Sequence, residues 1–216
     1  MQIFICGDST AASYNPAETL MAGWGQLLES FLPACRVVNL AMAGRSTKTF
    51  LQEGRLAPVR EQARPGDLVL IQFAHNDENE KKPERYCEAF GEYLENLHVF
   101  IRCARSRGAV PVLLTPICMR IWQEGKLQPT HGEYPAAMRR AAEEADVPLI
   151  DLYAESFRIV ESLGEEGSRA LFMHFPPGMD DRYPEGQQDN AHTRRAGAER
   201  FAAAAARELK AAGLVR

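Results

Sequence analysis

Ser9 and the segment Asp189-Asn190-Ala191-His192 carry the residue types from which a nucleophilic relay is built. Ser9 sits in Gly7-Asp8-Ser9-Thr10, directly behind the apolar run Ile3 to Cys6. A serine hydroxyl is a weak nucleophile until a neighbouring base takes its proton, and that base needs a third group to fix its tautomer. A carboxylate at Asp189 that folds back onto Nδ1 of His192 leaves Nε2 free to face Ser9. Attack on an ester carbonyl also needs donors aimed at the oxyanion, each worth about 2.7–4 kcal/mol when well placed. The backbone N–H groups of Ser9 and Gly44 and the side-chain amide of Asn76 are the candidates. Gly44 has no Cβ, so its N–H can approach a substrate closely. Each residue also has a plainer use: Ser9 or His192 can cap a helix, and Asn76 can close an Asx turn. Their combination points to ester hydrolysis through an acyl-serine.

Such residues must be brought together by elements, and the hydrophobic pattern supplies a set. Strands are predicted at Ile3 to Cys6, Val37 to Leu40, Asp67 to Phe73, Ala109 to Thr115 and Val147 to Ile150. Helices are predicted at Thr19 to Leu32, Pro83 to Arg107, Tyr134 to Ala145 and Thr193 to Ala212. Alternating strands and helices imply a parallel sheet with helices on both faces, with the functional crevice beyond the carboxyl ends of the strands. Ser9, Gly44 and Asn76 each follow the end of a predicted strand, so all three should share one rim. No repeat, low-complexity tract or linker interrupts the pattern, and one domain over 1–216 is expected.

Four stations, Gly7-Asp8-Ser9-Thr10, Asn39 to Thr47, Ala74-His75-Asn76-Asp77 and Asp189 to His192, resemble the SGNH (GDSL-type) hydrolase family in order and spacing. The resemblance implies a flavodoxin-like three-layer α/β/α sandwich on a five-stranded parallel sheet. It also implies ester hydrolysis with Ser9, Gly44, Asn76 and His192 as the defining set. The family's third block usually reads Gly-x-Asn-Asp. Ala74 replaces that glycine, which a negative φ at position 74 would accommodate. Thr10, Gly23-Trp24-Gly25, the His75-Asn76-Asp77 triplet, the segment Gly125 to Leu152 and the run Asp189 to Ala198 look like the rhamnogalacturonan acetylesterase branch. That likeness implies removal of acetyl groups from pectin-type oligosaccharides. The alternatives are a general short-chain esterase, thioesterase or lysophospholipase on the same triad, or a carbohydrate-binding protein that keeps the fold. The polar loops Gln123 to Glu133 and Met179 to Asn190 suit a sugar better than an acyl chain.

The remaining residues narrow the reading. In 216 residues with 45% hydrophobic and 25% charged side chains, a net charge of −4 argues against a nucleic-acid partner. No apolar run is long enough to span a membrane. Met1 leads straight into a strand with no secretory pattern, and the cysteine count is odd (Cys6, Cys35, Cys87, Cys103, Cys118). Both suggest a cytoplasmic chain with reduced thiols, acting on imported oligosaccharides. Neither the five histidines nor Asp180-Asp181 have metal-ligand spacing, and no phosphate-cradling glycine motif occurs, so no metal or cofactor is expected. His75, Trp122 and His174 are candidates to contact substrate, each with a structural alternative, and the resemblance implies that the loops holding His131 and His174 lie near the substrate. Trp122 can stack on a sugar or close a local hydrophobic clasp. Trp24 and His98 read as structural, and Asp8 and Asp77 as anchors of loop backbone. A homo-oligomer is compatible with the sequence.

Overall fold

A computed structural model describes residues 1–216. In chain order the elements are β1 (Gln2–Gly7), α1 (Trp24–Leu27), β2 (Arg36–Asn39), α2 (Thr47–Gln52), α3 (Ala57–Gln62), β3 (Leu68–Gln72), α4 (Leu94–Arg105) and β4 (Val110–Leu114). They continue with β5 (Trp122–Gln123), β6 (Lys126–Leu127), α5 (Tyr134–Ala145), β7 (Leu149–Ile150), α6 (Leu152–Ser168), β8 (Phe172–Phe175), β9 (Gln187–Thr193) and α7 (Arg195–Ala211). The main sheet has the order β2-β1-β3-β4-β7, with every neighbouring pair parallel.

Alternation along these strands sorts their apolar side chains into two cores. Ile3, Ile5, Leu68, Leu70, Val112 and Leu114 pack with α1, α6 and α7. Phe4, Cys6, Val69, Ile71 and Leu113 pack with α2 to α5 on the opposite face. The three-layer α/β/α arrangement with five parallel strands is therefore as expected. Parallel strands buried on both faces read as continuous apolar runs, as Ile3 to Cys6 of β1, Leu68 to Ile71 of β3 and Val112 to Leu114 of β4 do, whereas the edge strand β2 is only partly buried and is bounded by Arg36 and Asn39. The expected helix Tyr134 to Ala145 also forms over those residues.

Two expected helices are cut short, in each case because tertiary hydrogen bonds compete for their backbone. Within Thr19 to Leu32 only Trp24–Leu27 is α-helical, followed by a 3₁₀ turn at Leu28–Phe31. Ala22 N–H donates to Thr193 O at 2.9 Å, and Met21 forms a β-bridge with Arg194. Within Pro83 to Arg107, Cys87 N–H donates to Asp77 O at 3.0 Å, and Gly91 breaks the helical geometry at φ −107° and ψ −113°. Regular α-helix starts at Leu94. At the other end of the chain, the residues Gln187–Thr193, expected to be loop leading into helix, form a strand paired with β8.

The Gly23-Trp24-Gly25 triplet is explained by close backbone approach. A Cβ on Gly23 would stand 2.3 Å from the Ala12 carbonyl oxygen, and one on Gly25 would stand 2.5 Å from that of Ala11. Trp24, fully buried between them, donates its indole N–H to Gln72 Oε1 at 2.9 Å. The triplet thus clamps the chain just behind Ser9. Gly23→Ala should cost about 1–3 kcal/mol by overpacking against backbone that has no room to move. Gly167→Ala, whose added Cβ meets only Leu163 Cβ at 3.6 Å, should leave the melting temperature unchanged or raised. Thermal denaturation of the two variants checks this, and equal melting temperatures would contradict it.

Candidate active site

Ser9, Asp189 and His192 meet at the carboxyl ends of β1 and β3, across 183 residues of chain. Nε2 of His192 lies 2.9 Å from Ser9 Oγ, and Nδ1 lies 2.7 Å from Asp189 Oδ2. The other carboxylate oxygen accepts the backbone N–H groups of Ala191 at 2.8 Å and His192 at 3.0 Å. Burial alone would raise the Asp189 carboxyl, but these hydrogen bonds from His192 and Ala191 hold it below the usual carboxylate range. The Asp189 carboxylate holds the ring by Nδ1, which leaves Nε2 facing the Ser9 hydroxyl. The pair is partly open to solvent, with the His192 side chain 32% and that of Asp189 25% exposed.

The three oxyanion candidates converge on the same rim. The backbone N–H groups of Ser9 and Gly44 donate to no other protein group. Gly44 adopts φ +78°, a conformation that L side chains rarely take. Asn76 uses one amide proton on Arg45 O at 3.1 Å, and its Oδ1 accepts from Arg85 Nη1 at 3.3 Å. Both ends of the amide are thereby oriented, and its second proton is left over. Ala74 is fully buried and lies outside the positive-φ residues, so its methyl group is accommodated in the second core.

Asp77 joins the Gly44 loop to the Asn76 loop. Its Oδ1 accepts both the backbone N–H (2.8 Å) and the hydroxyl (2.5 Å) of Thr47, the first residue of α2. Asp8 does the same for the serine turn, accepting from Thr10 N–H at 2.9 Å and Thr10 Oγ1 at 2.7 Å. His75 lies 3.4 Å from Asp8 Oδ2 without hydrogen-bond geometry, and its ring stands edge-on to His131 at 4.3 Å. Burial opposes charge on both partners. The Asp8 charge nevertheless raises His75, while His75 and the Thr10 hydrogen bonds lower Asp8. His131 faces Ile117 O with Nε2 at 2.8 Å and the Glu78 carboxylate with Nδ1 at 3.0 Å. Both partners are acceptors, of which a neutral ring can satisfy only one, and burial together with the neighbouring His75 lowers the His131 pKa.

The three expected substrate contacts do not gather at the triad. His75 is only 8% exposed and supports the serine turn from beneath. Trp122 packs against the first core and its indole nitrogen is buried, in keeping with a hydrophobic clasp. His174 bonds Asn190 Oδ1 at 2.9 Å and lines a cavity of about 300 Å³ with Arg169, Phe175, Pro176, Pro177 and Gln188, none of them a triad residue. His98 pairs with Glu144 at 3.1 Å and ties α4 to α5. No three His, Cys, Asp or Glu side chains form a set that could hold a metal ion.

Two arginines were not singled out by the sequence. Arg120, 3% exposed, donates to Asn190 Oδ1 at 3.1 Å, to Ser168 Oγ at 3.0 Å and to Glu165 O. Its backbone N–H also donates to Asn190 O at 2.8 Å, so it clamps β9 between Asp189 and His192. Arg85 touches Asn76 and flanks Gly44. Scattered single arginines give no sequence signal, because only the folded chain brings them to these partners.

Burial pushes the Asp77 carboxyl up to about 8, against the two hydrogen bonds from Thr47. The folded chain therefore holds a proton that an unfolded aspartate releases near pH 4. The associated stability is complete below that unfolded value and is lost as pH rises through about 8. Asp77→Asn keeps an acceptor for Thr47 without titrating. The melting temperature of wild type should accordingly fall relative to that of Asp77→Asn between about pH 5 and about pH 9. A constant difference between the two would contradict an elevated Asp77 pKa.

Comparison with known proteins places the chain in a family. The family model described as GDSL-like lipase/acylhydrolase matches residues 5–200. Rhamnogalacturonan acetylesterase RhgT of Bacillus subtilis is 40% identical over 216 residues, spanning 99% of this chain and 91% of that protein. The crystal structure of YxiM, an uncharacterized esterase of Bacillus subtilis, superposes with a TM-score of 0.83 at 31% identity. That match covers 98% of this chain and 56% of the YxiM chain. Axe2, an acetylxylan esterase from Geobacillus stearothermophilus, shares the fold with a TM-score of 0.67 at 19% identity, covering 100% of this chain and 96% of that one. No helix is long and apolar enough to cross a membrane. The chain belongs to the GDSL-like lipase/acylhydrolase family.

Proposed function

We propose that this chain is an acetylesterase that removes acetyl groups from acetylated plant-polysaccharide oligosaccharides of the pectin, rhamnogalacturonan type. The observation that carries the reading is Ser9 Oγ held 2.9 Å from His192 Nε2, with Asp189 at 2.7 Å behind the ring. The full-length 40% identity to a rhamnogalacturonan acetylesterase supports the substrate class. The five free thiols, four of them buried, support a reducing cytoplasmic setting in which the substrate is an imported oligosaccharide.

Ser9 Oγ attacks the acetyl carbonyl as its proton passes to His192 Nε2. The Ser9 and Gly44 N–H groups and the free Asn76 amide proton receive the oxyanion. Asp189, ionised, stabilises the imidazolium. Collapse of the tetrahedral intermediate breaks the bond to the sugar oxygen, which leaves with the proton from His192. Water, activated by the same imidazole, then attacks acetyl-Ser9 and releases acetate, restoring the serine hydroxyl.

Acetate release from acetylated pectic oligosaccharides, measured for wild type, Ser9→Ala and Asp189→Asn, tests the reading. Ser9→Ala should show no turnover above background, and Asp189→Asn should lose about 10⁴-fold in kcat through the wrong imidazole tautomer. Undiminished activity in Ser9→Ala would overturn the mechanism. A preference for long-chain esters over acetyl sugars would overturn the substrate class.

A further inference from the structure

Arg85 presents a cation with unused donors at the edge of the oxyanion site. The chain that carries it is tied down on several sides. Arg85 N–H donates to Lys82 O at 2.8 Å, and Lys48 Nζ donates to Tyr86 O at 2.9 Å. Cys87 N–H donates to Asp77 O at 3.0 Å, and Tyr134 OH donates to Cys87 O at 2.7 Å. From this anchored segment the guanidinium reaches over Gly44, 3.4–3.6 Å from the position a Cβ there would occupy. It gives one Nη1 proton to Asn76 Oδ1 at 3.3 Å. It therefore touches two of the three oxyanion candidates.

The charge of Arg85 is barely compensated. Its ion partner, Glu84, stands 3.8 Å from Nε with a side chain 63% exposed, a pairing of little energetic weight. Nη2 donates to no protein acceptor, and the side chain is 31% exposed. The neighbouring Arg45 is different: it is committed to Glu53 at 3.0 Å and to Ala43 O at 2.9 Å. An arginine fork with free donors matches a carboxylate in two-point geometry, which a neutral hydroxyl cannot reproduce. In a chain of net charge −4, a local cation is also what an anionic substrate needs in order to dock. In a uronic acid the carboxylate lies within one ring's width of the hydroxyls that bear acetyl groups.

We propose that Arg85 binds the carboxylate of a uronate residue beside the scissile acetyl ester, making this site selective for acidic acetylated sugars. The inference rests on the acetyl-oligosaccharide reading given above and specifies its substrate.

The test compares an acetylated oligogalacturonide, the same oligosaccharide with its carboxyls methyl-esterified, and p-nitrophenyl acetate, using wild type, Arg85→Gln and Arg85→Lys. Wild type should favour the free acid over its methyl ester by about tenfold or more in kcat/KM, chiefly through KM, with the preference weakening as salt is added. Arg85→Gln should abolish that preference, and Arg85→Lys, which keeps the charge without the fork, should retain part of it. Because Arg85 also orients Asn76, Arg85→Gln should lower turnover of p-nitrophenyl acetate and of the methyl ester by a common, smaller factor. Equal losses on all three substrates, or a wild type indifferent to methyl esterification, would overturn the inference and leave the esterase reading intact. Failure of wild type to deacetylate either oligosaccharide while cleaving p-nitrophenyl acetate would overturn the substrate class and this inference together.

Discussion

The short contact between His192 and Ser9 depends on holding β9, which belongs to no part of the main sheet, against the end of β1. Three sets of bonds do so. Pairing with β8 fixes one edge of the strand. At its far end Thr193 O accepts from Ala22 N–H at 2.9 Å, and Thr193 Oγ1 donates to Ala22 O at 2.6 Å. Arg120, buried beneath, holds Asn190 by both side chain and backbone. Ala22 in turn precedes the Gly23-Trp24-Gly25 clamp on the segment that follows Ser9, so His192 and Ser9 are referred to the same stretch of chain.

Around this contact, buried polar groups replace the apolar packing that fills the rest of the sheet. Asp8 and Asp77, both fully buried, each accept two hydrogen bonds from the threonine they organise. One fixes the serine turn and the other joins the two loops that carry Gly44 and Asn76. The two carboxyls differ in charge because their surroundings differ. His75 beside Asp8 keeps it ionised, whereas burial of Asp77 without a cation in contact raises it. Buried groups of this kind are costly when unpaired, which makes the geometry they impose rigid. A rigid set of donors is what stabilises an oxyanion without reorganisation during the reaction.

The central strands were legible because they are buried on both faces and therefore apolar without interruption, as in Leu68 to Ile71. Ser9, Gly44, Asn76, Asp189 and His192 were legible because their chemistry narrows the choice of residue at strand ends. The strand character of Gln187–Thr193 was not, since its polar side chains serve the site and break the alternation that marks a strand. α6 passed unread because Gly164, at φ +69°, and Gly167 interrupt its pattern. The truncated helices at Thr19 and Pro83 lose their first turns to partners far along the chain, which local periodicity does not register. Arg85 and Arg120 were invisible for the same reason: their roles consist of contacts with Asn76, Gly44 and Asn190.

Covalent capture of the nucleophile tests the central claim most directly. A p-nitrophenyl phosphonate ester, a tetrahedral mimic of the attacked acetyl group, would be incubated with the protein and the adduct located by peptide mass mapping. The account predicts one adduct per chain, on Ser9, with esterase activity lost in proportion to its formation. An adduct on another residue, or turnover that persists once Ser9 is fully modified, would contradict it.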